Sequence, residues 1–584
     1  MPLGTFDRPQ NLDRLAHGTY DTVVIGGGIT GAGVALDAAS RGLRTALIER
    51  DDFGSGTSSR SSKMVHGGLR YLQSRDVRLV YQALRERHRL LHNAPHLVRV
   101  LPFLIPIFSG RGGIIPRRVA RALGWAMWAY DLTGGLRIGK LHKRLDHDAA
   151  LAHMPTLDPE RLAWAYLYYD AYADDARLTL TVARTAAIDH GAVVANHGRV
   201  VGLRKARDTN RVGAESGPGR LCGLQVVTDE GGEVEVRAHT VVNASGVWAD
   251  EVRALDEGIH PQSLRPAKGI HITVPWRKLR NDIAAVIPVR HDGRSIFVVP
   301  WPAPDGAFGG EDGFTYVGTT DTDYDGDLDD PQCTSEDVDY LLDALNATLS
   351  EPLERSDVLG SWAGLRPLVR DGVSARTADL SRRHRVAISQ SGLITITGGK
   401  LTTYREMAQD AVDKVVERLG GLGPRVGSPA IERRLRRSPT AKLRLRGAEG
   451  WEEERDRDPH LADRYGGEAR VLRTMIEADP ALAEPLVPGL PYRKAEALYA
   501  VRYEMATTLD DLLTRRTRAR LLARDATAGP AAADVAELLG DELGWSAEQR
   551  AAEVAAYRRA VQQERSAPGL PEAPVSALGS AYGR

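Results

Sequence analysis

Between Thr22 and Glu49 the chain places an apolar run, a glycine cluster, a small-residue segment, a second apolar run and an acidic residue in that order. That order predicts a βαβ unit built around an ADP moiety. Thr22-Val23-Val24-Ile25 reads as a buried parallel strand, and Gly26, Gly28 and Gly31 supply the G-x-G-x-x-G turn into a helix running to about Ser40. The first glycine permits the tight turn, and the second lets backbone N–H groups approach a pyrophosphate. The third, helped by Ala32 and Gly33, lets the helix pack closely on the strand. Arg44 to Ile48 reads as the second strand, and Glu49 at its end is placed to accept hydrogen bonds from an adenosine ribose.

At 584 residues the chain is too long for one core, so two or three domains are expected. The net charge of +0 offers no global attraction to nucleic acid. Two cysteines, Cys222 and Cys333, form no disulfide framework and fit a reducing cytoplasm. The N-terminal residues carry charges and lack a continuous apolar stretch, so no signal peptide is expected, and no segment is apolar enough to span a bilayer.

The expected fold class is α/β with an α+β insert. Residues 1–20 read as a loose leader. A nucleotide-binding domain follows over 21–422, with a helix from about Val77 to Asn93 and antiparallel substrate-platform strands interleaved over about 265–354. A Gly/Pro-rich linker spans 423–429, a mostly helical cap domain 430–565 and a disordered tail 566–584.

No second glycine fingerprint follows a strand, which favours a single cofactor with an ADP half. Thr57-Ser58-Ser59-Arg60-Ser61-Ser62-Lys63-Met64 is a dense run of hydroxyls and cations able to donate to a diphosphate and to the ribityl and flavin carbonyls. With its continuation His66-Gly67-Gly68-Leu69-Arg70-Tyr71, this segment resembles the FAD-dependent glycerol-3-phosphate dehydrogenases. The likeness continues in family order. It takes in Asp174 to Thr179, Asn243 to Trp248, Lys268 to His271, Gly318 to Asp321, Gly364 to Pro367, Gly398 to Arg405 and, in the helical region, Tyr503 to Ala506 and Asp510 to Thr517. It covers about Asp21 to Arg524.

The resemblance implies a Rossmann-type FAD-binding domain, an antiparallel β-sheet substrate domain and a C-terminal α-helical cap. It implies oxidation of sn-glycerol 3-phosphate to dihydroxyacetone phosphate, with hydride passing from C2 to flavin N5 and electrons to membrane quinone. Arg70, Tyr71, Arg294, Arg366 and Lys400 would gather at the substrate dianion, and Arg366 or Lys400 would stabilise the developing alkoxide. His66 and His271 are both candidate proton acceptors, because imidazole is matched to neutral pH. The implied FAD contacts are Gly26, Gly28, Gly31, Glu49, Thr57, Ser58, Ser62, Lys63, Val200, Asn243, Ala244, Gly246, Trp248, Gly399, Leu401 and Thr402. Gly399, Leu401 and Thr402 would bring a helix N-terminus to the flavin pyrimidine.

Two rivals remain open: a glycerol-phosphate oxidase releasing hydrogen peroxide from the same scaffold, and a flavoprotein whose FAD is structural and serves regulation or binding. No metal site is expected. Asp321 to Asp329 imitates a calcium loop but carries Gln332 where the bidentate Glu belongs, and Pro95 separates His96 from His88 and His92. The apolar run Val100 to Ile107, then Arg117, Arg118, Arg121, Trp125, Met127 and Trp128, and a basic stretch from Arg433 to Arg446 set a buried helix beside solvated arginines against peripheral contact with an anionic membrane. The resemblance tips this choice toward a cytoplasmic protein held on the inner face of the cell membrane. The sequence admits a homodimer without specifying the oligomeric state.

Overall fold

The computed structural model describes residues 6–68, 77–108, 124, 127, 128, 130, 131, 138–206, 219–289, 294–370, 383–420, 435 and 437–573. The βαβ unit forms as its pattern requires. Strand Thr19–Ile25, helix Ile29–Arg41 and strand Thr45–Ile48 follow one another, and both strands pair in parallel. On its other side Thr19–Ile25 pairs in parallel with Glu233–Asn243, with Ile25 level with both Ile48 and Asn243. Three strand ends therefore stop on one line, where the turns bearing Gly26, Glu49 and Ala244 open a crevice. Leu393–Thr397 and Val193–Ala195 extend the parallel array, and an antiparallel hairpin, Gly198–Ala206 with Arg220–Thr228, hangs from Glu233–Asn243.

The glycines act through contact. A Cβ on Gly31 would sit 1.8 Å from the Gly26 carbonyl oxygen, so this helix cannot approach its strand with any side chain there. Gly33 does a different job from the one its sequence position suggests. A Cβ on it would meet Tyr404 at 2.8 Å, so it opens the contact between Ile29–Arg41 and helix Tyr404–Gly420 rather than a helix–strand contact.

The second sheet is larger than the sequence implies. Besides Leu264–Pro275, Ala284–Pro288, Ser295–Pro300, Phe314–Gly318 and Thr322–Asp323, it takes in Met64–Val65, Val98–Phe108, Lys143–Leu145, Leu162–Ala173 and Gly360–Val369. Val98–Phe108 corrects an expectation. The apolar run Val100 to Ile107 is neither a helix nor a lipid-facing segment, but a strand paired along its length with Leu162–Ala173, with Phe103, Ile105 and Ile107 buried in the main core. It reads as apolar on both faces because both are covered: Phe103, Ile105 and Ile107 pack into one buried cluster and Leu104 and Phe108 into another.

Two further expectations need correcting. The leader is ordered from residue 6: Asp7 caps helix Arg8–His17 by accepting from the Gln10 amide, Pro9 favours its first turn, and Asn11 and Leu15 are buried against the first sheet. The last helix, Ala547–Ser566, is followed by residues that return to the core, with Leu570 6% exposed among the apolar residues of the substrate sheet. Residues 574–584 and the expected linker 423–429 lie outside the described residues.

The helical C-terminal part docks on the nucleotide-binding part through buried charge. Asp52 is fully buried and accepts from Arg515 Nε at 2.6 Å and from both terminal nitrogens of Arg516 at 2.7 and 2.8 Å. His197 lies between two carboxylates, its nitrogens each 3.0 Å from Asp229 and Asp511. Asp52, His197 and Asp511 are close enough together to suggest a metal site, yet Arg515 and Arg516 already supply the positive charge there.

Burial alone would lower the His197 pKa, but Asp511, Asp52 and Asp229 raise it to about 9. A raised folded-state value stabilises the protein fully below the unfolded value near 6.5 and loses that stabilisation as pH climbs through about 9. Thermal stability should therefore fall between those limits, by on the order of 3 kcal/mol, and His197→Asn should flatten that slope in calorimetry across pH. Asp52→Ala should cost roughly 3–5 kcal/mol by stranding two buried guanidiniums, read as early loss of the helical part in thermal or proteolytic unfolding.

Candidate active site

Two cavities open along the line of strand ends. The first, about 450 Å³, is lined by Gly26, Gly28, Glu49, Thr57, Ser58, Val200, Ala244, Gly246, Trp248, Gly399 and Leu401, among others. The second, about 240 Å³, is lined by Ser62, His66, His271, Arg366, Lys400 and Thr402. Ile29, Thr57, Ser58, Pro367 and Gly398 to Leu401 line both, so the two form one elongated cleft with a nucleotide end and a reaction end.

At the nucleotide end, the Glu49 carboxylate accepts from the Gly27 amide at 2.5 Å and the Asp51 amide at 2.9 Å. Burial raises its pKa to about 7 against the pull of those two amides. Ser58 Oγ accepts from the Ile29 amide at 2.9 Å and so covers the helix N-terminus. A Cβ on Gly28 would press on that Oγ at 3.1 Å and narrow the cradle. At Gly399, φ is +83° and a Cβ would meet Met407 Sδ at 2.3 Å, so only glycine carries the chain past that wall. An elongated cleft with a bare glycine turn, a helix N-terminus and an inward carboxylate at one end fits an adenine dinucleotide such as FAD.

Register builds the reaction end. Antiparallel pairing sets His271 opposite Trp362, Gly269 opposite Gly364 and Ala267 opposite Arg366. Period-two alternation then puts Trp362, Gly364 and Arg366 on one face of their strand. The His271 and Trp362 rings stack, 4.8 Å apart and 9° from parallel. On the other flank His271 faces Gly318, where a Cβ would come within 2.1 Å of the imidazole. Its Nε2 lies 2.9 Å from Ser62 Oγ.

Gly269 leaves room for the Arg366 guanidinium, which donates to Asp321 at 3.0 Å and to Thr319 Oγ1 and the Thr320 carbonyl at 3.1 Å each. Gly364 lets the Arg60 carbonyl approach the sheet, holding the Ser-rich loop against the platform. Burial, then the Lys63 and Arg366 charges, hold the His271 pKa well below its ordinary value, which favours the neutral ring.

Not every expected residue reaches the cleft. The Lys63 side chain is fully buried away from it, with Nζ donating to the Ser59 carbonyl at 3.2 Å and to Asp175 at 3.1 Å; a buried ammonium needs that carboxylate more than it needs a cofactor. Asn243 is buried behind its turn, donating to the Ala249 carbonyl and accepting from Ser245. Gly31 touches the turn from beneath. Arg294 donates to the Asp321 carbonyl at 3.0 Å and lines neither cavity. Thr402 Oγ1 accepts from the His66 amide and so ties the two ends of the reaction cavity together. Arg70 and Tyr71 lie outside the described residues. Sequence reasoning missed Trp362 and Asp321; the alternation of Trp362, Gly364 and Arg366 was the available signal for the first.

Comparison with known proteins gives the same picture. The family model described as FAD dependent oxidoreductase matches residues 21–405, and that described as the C-terminal domain of alpha-glycerophosphate oxidase matches 438–550. The chain is 40% identical over 578 residues to glycerol-3-phosphate dehydrogenase 2 of Mycobacterium tuberculosis, covering 96% of this chain and 91% of the relative. It is 40% identical over 549 residues to the mitochondrial glycerol-3-phosphate dehydrogenase of Mus musculus, covering 90% and 71%. The crystal structure of glycerol-3-phosphate dehydrogenase from Bacillus halodurans complexed with FAD superimposes with a TM-score of 0.73 at 29% identity, covering 97% of this chain and 99% of that one. The chain belongs to the FAD-dependent glycerol-3-phosphate dehydrogenase family.

Proposed function

We propose that this protein oxidises sn-glycerol 3-phosphate to dihydroxyacetone phosphate with FAD in the elongated cleft and passes the electrons to membrane quinone. The observation that carries the reading is a ring-clamped imidazole beside an arginine and a lysine, in a cavity continuous with a dinucleotide cradle. Bound there, FAD supplies the acceptor for the hydride that leaves C2. Gly26, Gly28, Glu49, Thr57, Ser58, Val200, Ala244, Gly246, Trp248, Gly399 and Leu401, which line the larger cavity, would hold it.

Arg366 and Lys400 bind the substrate, and Asp321, Thr319 and Thr320 hold the Arg366 guanidinium in place, so its charge meets an anion with little loss of side-chain freedom. His271 takes the C2 hydroxyl proton at Nε2. It is preferred over His66 because Trp362 and Gly318 fix its ring.

The proposed membrane contact keeps Trp128 from the patch the sequence suggests and gives up most of the rest. Arg117, Arg118, Arg121, Trp125, Arg433, Arg434 and Arg436 lie outside the described residues, Met127 is buried, and Arg446 is engaged by Glu468 and Asp189. No helix among the described residues is long and apolar enough to cross a membrane. Trp128 and Leu141 are 54% and 44% exposed, the Trp128 ring meets His142 edge-on at 5.0 Å, and Lys140, Lys143 and Arg144 lie in the same segment as Leu141, with the Arg144 guanidinium 4.4 Å over Trp164. Aromatic rings among cations suit anionic headgroups.

Anaerobic glycerol 3-phosphate should bleach the flavin of the loaded enzyme, and glycerol should not; no bleaching would return the structural-FAD reading. Admitting quinone or oxygen afterwards identifies the acceptor. Arg366→Met should weaken substrate capture about tenfold to a hundredfold, and His271→Asn should lower kcat by about 10²–10⁴, both measured in steady state. Gly399→Leu should lower flavin occupancy, and full occupancy would remove that wall from the cofactor site. Sedimentation with anionic vesicles should weaken as salt rises and fail in Trp128→Ser/Leu141→Ser.

A further inference from the structure

The buried cluster around Lys63 has no part in the reaction as described so far, yet it touches the back of the active site. His271 stacks on one side of the Trp362 indole, and the Lys63 ammonium lies 4.8 Å from the same ring's centroid. Lys63 is fully buried and shares its acceptors with Arg518, itself fully buried: both donate to the Ser59 carbonyl and both to Asp175. Asp175 also accepts from the Ser61 amide at 2.9 Å and the Ser61 hydroxyl at 2.7 Å, which fixes the loop that presents Ser62 to His271. Arg518 comes from the helical C-terminal part and has a positive φ of 70° that turns its side chain down into this cluster.

We propose that Lys63, Trp362 and Arg518 are positioning residues for His271, so that the helical C-terminal part holds the proton acceptor of the active site in place. This rests on the reading of His271 as that acceptor. Two routes converge on the ring: Arg518–Asp175–Lys63–Trp362 on its face, and Arg518–Asp175–Ser61–Ser62 on its Nε2 edge. The groups facing the imidazole are Lys63 through the indole, Arg366, Tyr316 with its ring 6.2 Å away, Ser62, and across the cavity His66 and Lys400. Lys63 and Arg366 are the charges that act on it, and both disfavour the imidazolium. Burial, and then those two charges, disfavour the imidazolium, while the stack on Trp362 keeps the ring aimed.

The test uses the full-length, FAD-loaded enzyme and follows kcat/KM against pH, alongside NMR titration of histidine-labelled protein with His271→Asn identifying the resonance. In Lys63→Met the acid limb and the His271 titration should both move up by about one pH unit, whereas Lys63→Arg should restore the original profile. Arg518→Met should lower kcat at least severalfold with little change in KM. An acid limb and a resonance that stay put in folded, FAD-loaded Lys63→Met overturn the proposal. Should Lys63→Met not fold, Trp362→Leu decides: kcat should drop about tenfold with KM nearly constant, and an unchanged kcat overturns it. A His271→Asn enzyme with wild-type kcat removes the base assignment itself, and the proposal with it.

Discussion

Two buried carboxylates, Asp52 and Asp175, hold this molecule together. Each sits in the nucleotide-binding part and each receives arginines from one short stretch of the helical part, Arg515 and Arg516 on Asp52 and Arg518 on Asp175. Buried ions are costly to desolvate, so such contacts persist only where hydrogen bonds satisfy nearly every lone pair, and they forbid any other docking of the two parts. The same stretch supplies Asp511 to His197, on the strand-to-hairpin turn beside Val200. The helical part thus reaches the walls of the nucleotide cavity and the back of the reaction cavity at once.

The cleft divides its work between two kinds of sheet. The parallel sheet ends three strands on one line, which gives backbone amides and bare glycines for a pyrophosphate. The antiparallel sheet faces strands directly across from one another, which lets an imidazole lie flat on an indole and leaves glycines where an arginine must enter. Neither sheet alone makes a site. Gly364, by admitting the Arg60 carbonyl, is the point at which the Ser-rich loop of one meets the platform of the other.

Much of this was legible in the chain. Gly26, Gly28 and Glu49 could be read because their spacing is local, the glycines acting through their backbone and Glu49 through a carboxylate that accepts from the Gly27 amide. His271, Arg366 and Lys400 were reached through ordered motifs, and the cavity collects all three. Lys63 was misplaced because a lysine in a Ser-rich loop looks solvent-facing or ligand-facing, while its partner Asp175 lies 112 residues away. Val98–Phe108 was misread because an apolar run does not say whether lipid, helix or sheet covers it.

The sequence by itself determined the βαβ turn and its glycine cradle, since these depend on contacts within a few residues. Only the tertiary structure decided which histidine is clamped, that Trp362 backs it, and that Lys63 and Arg518 converge on Asp175. Those depend on strand register and on charge pairs between distant segments, and burial makes such pairs obligatory without marking either partner in the sequence.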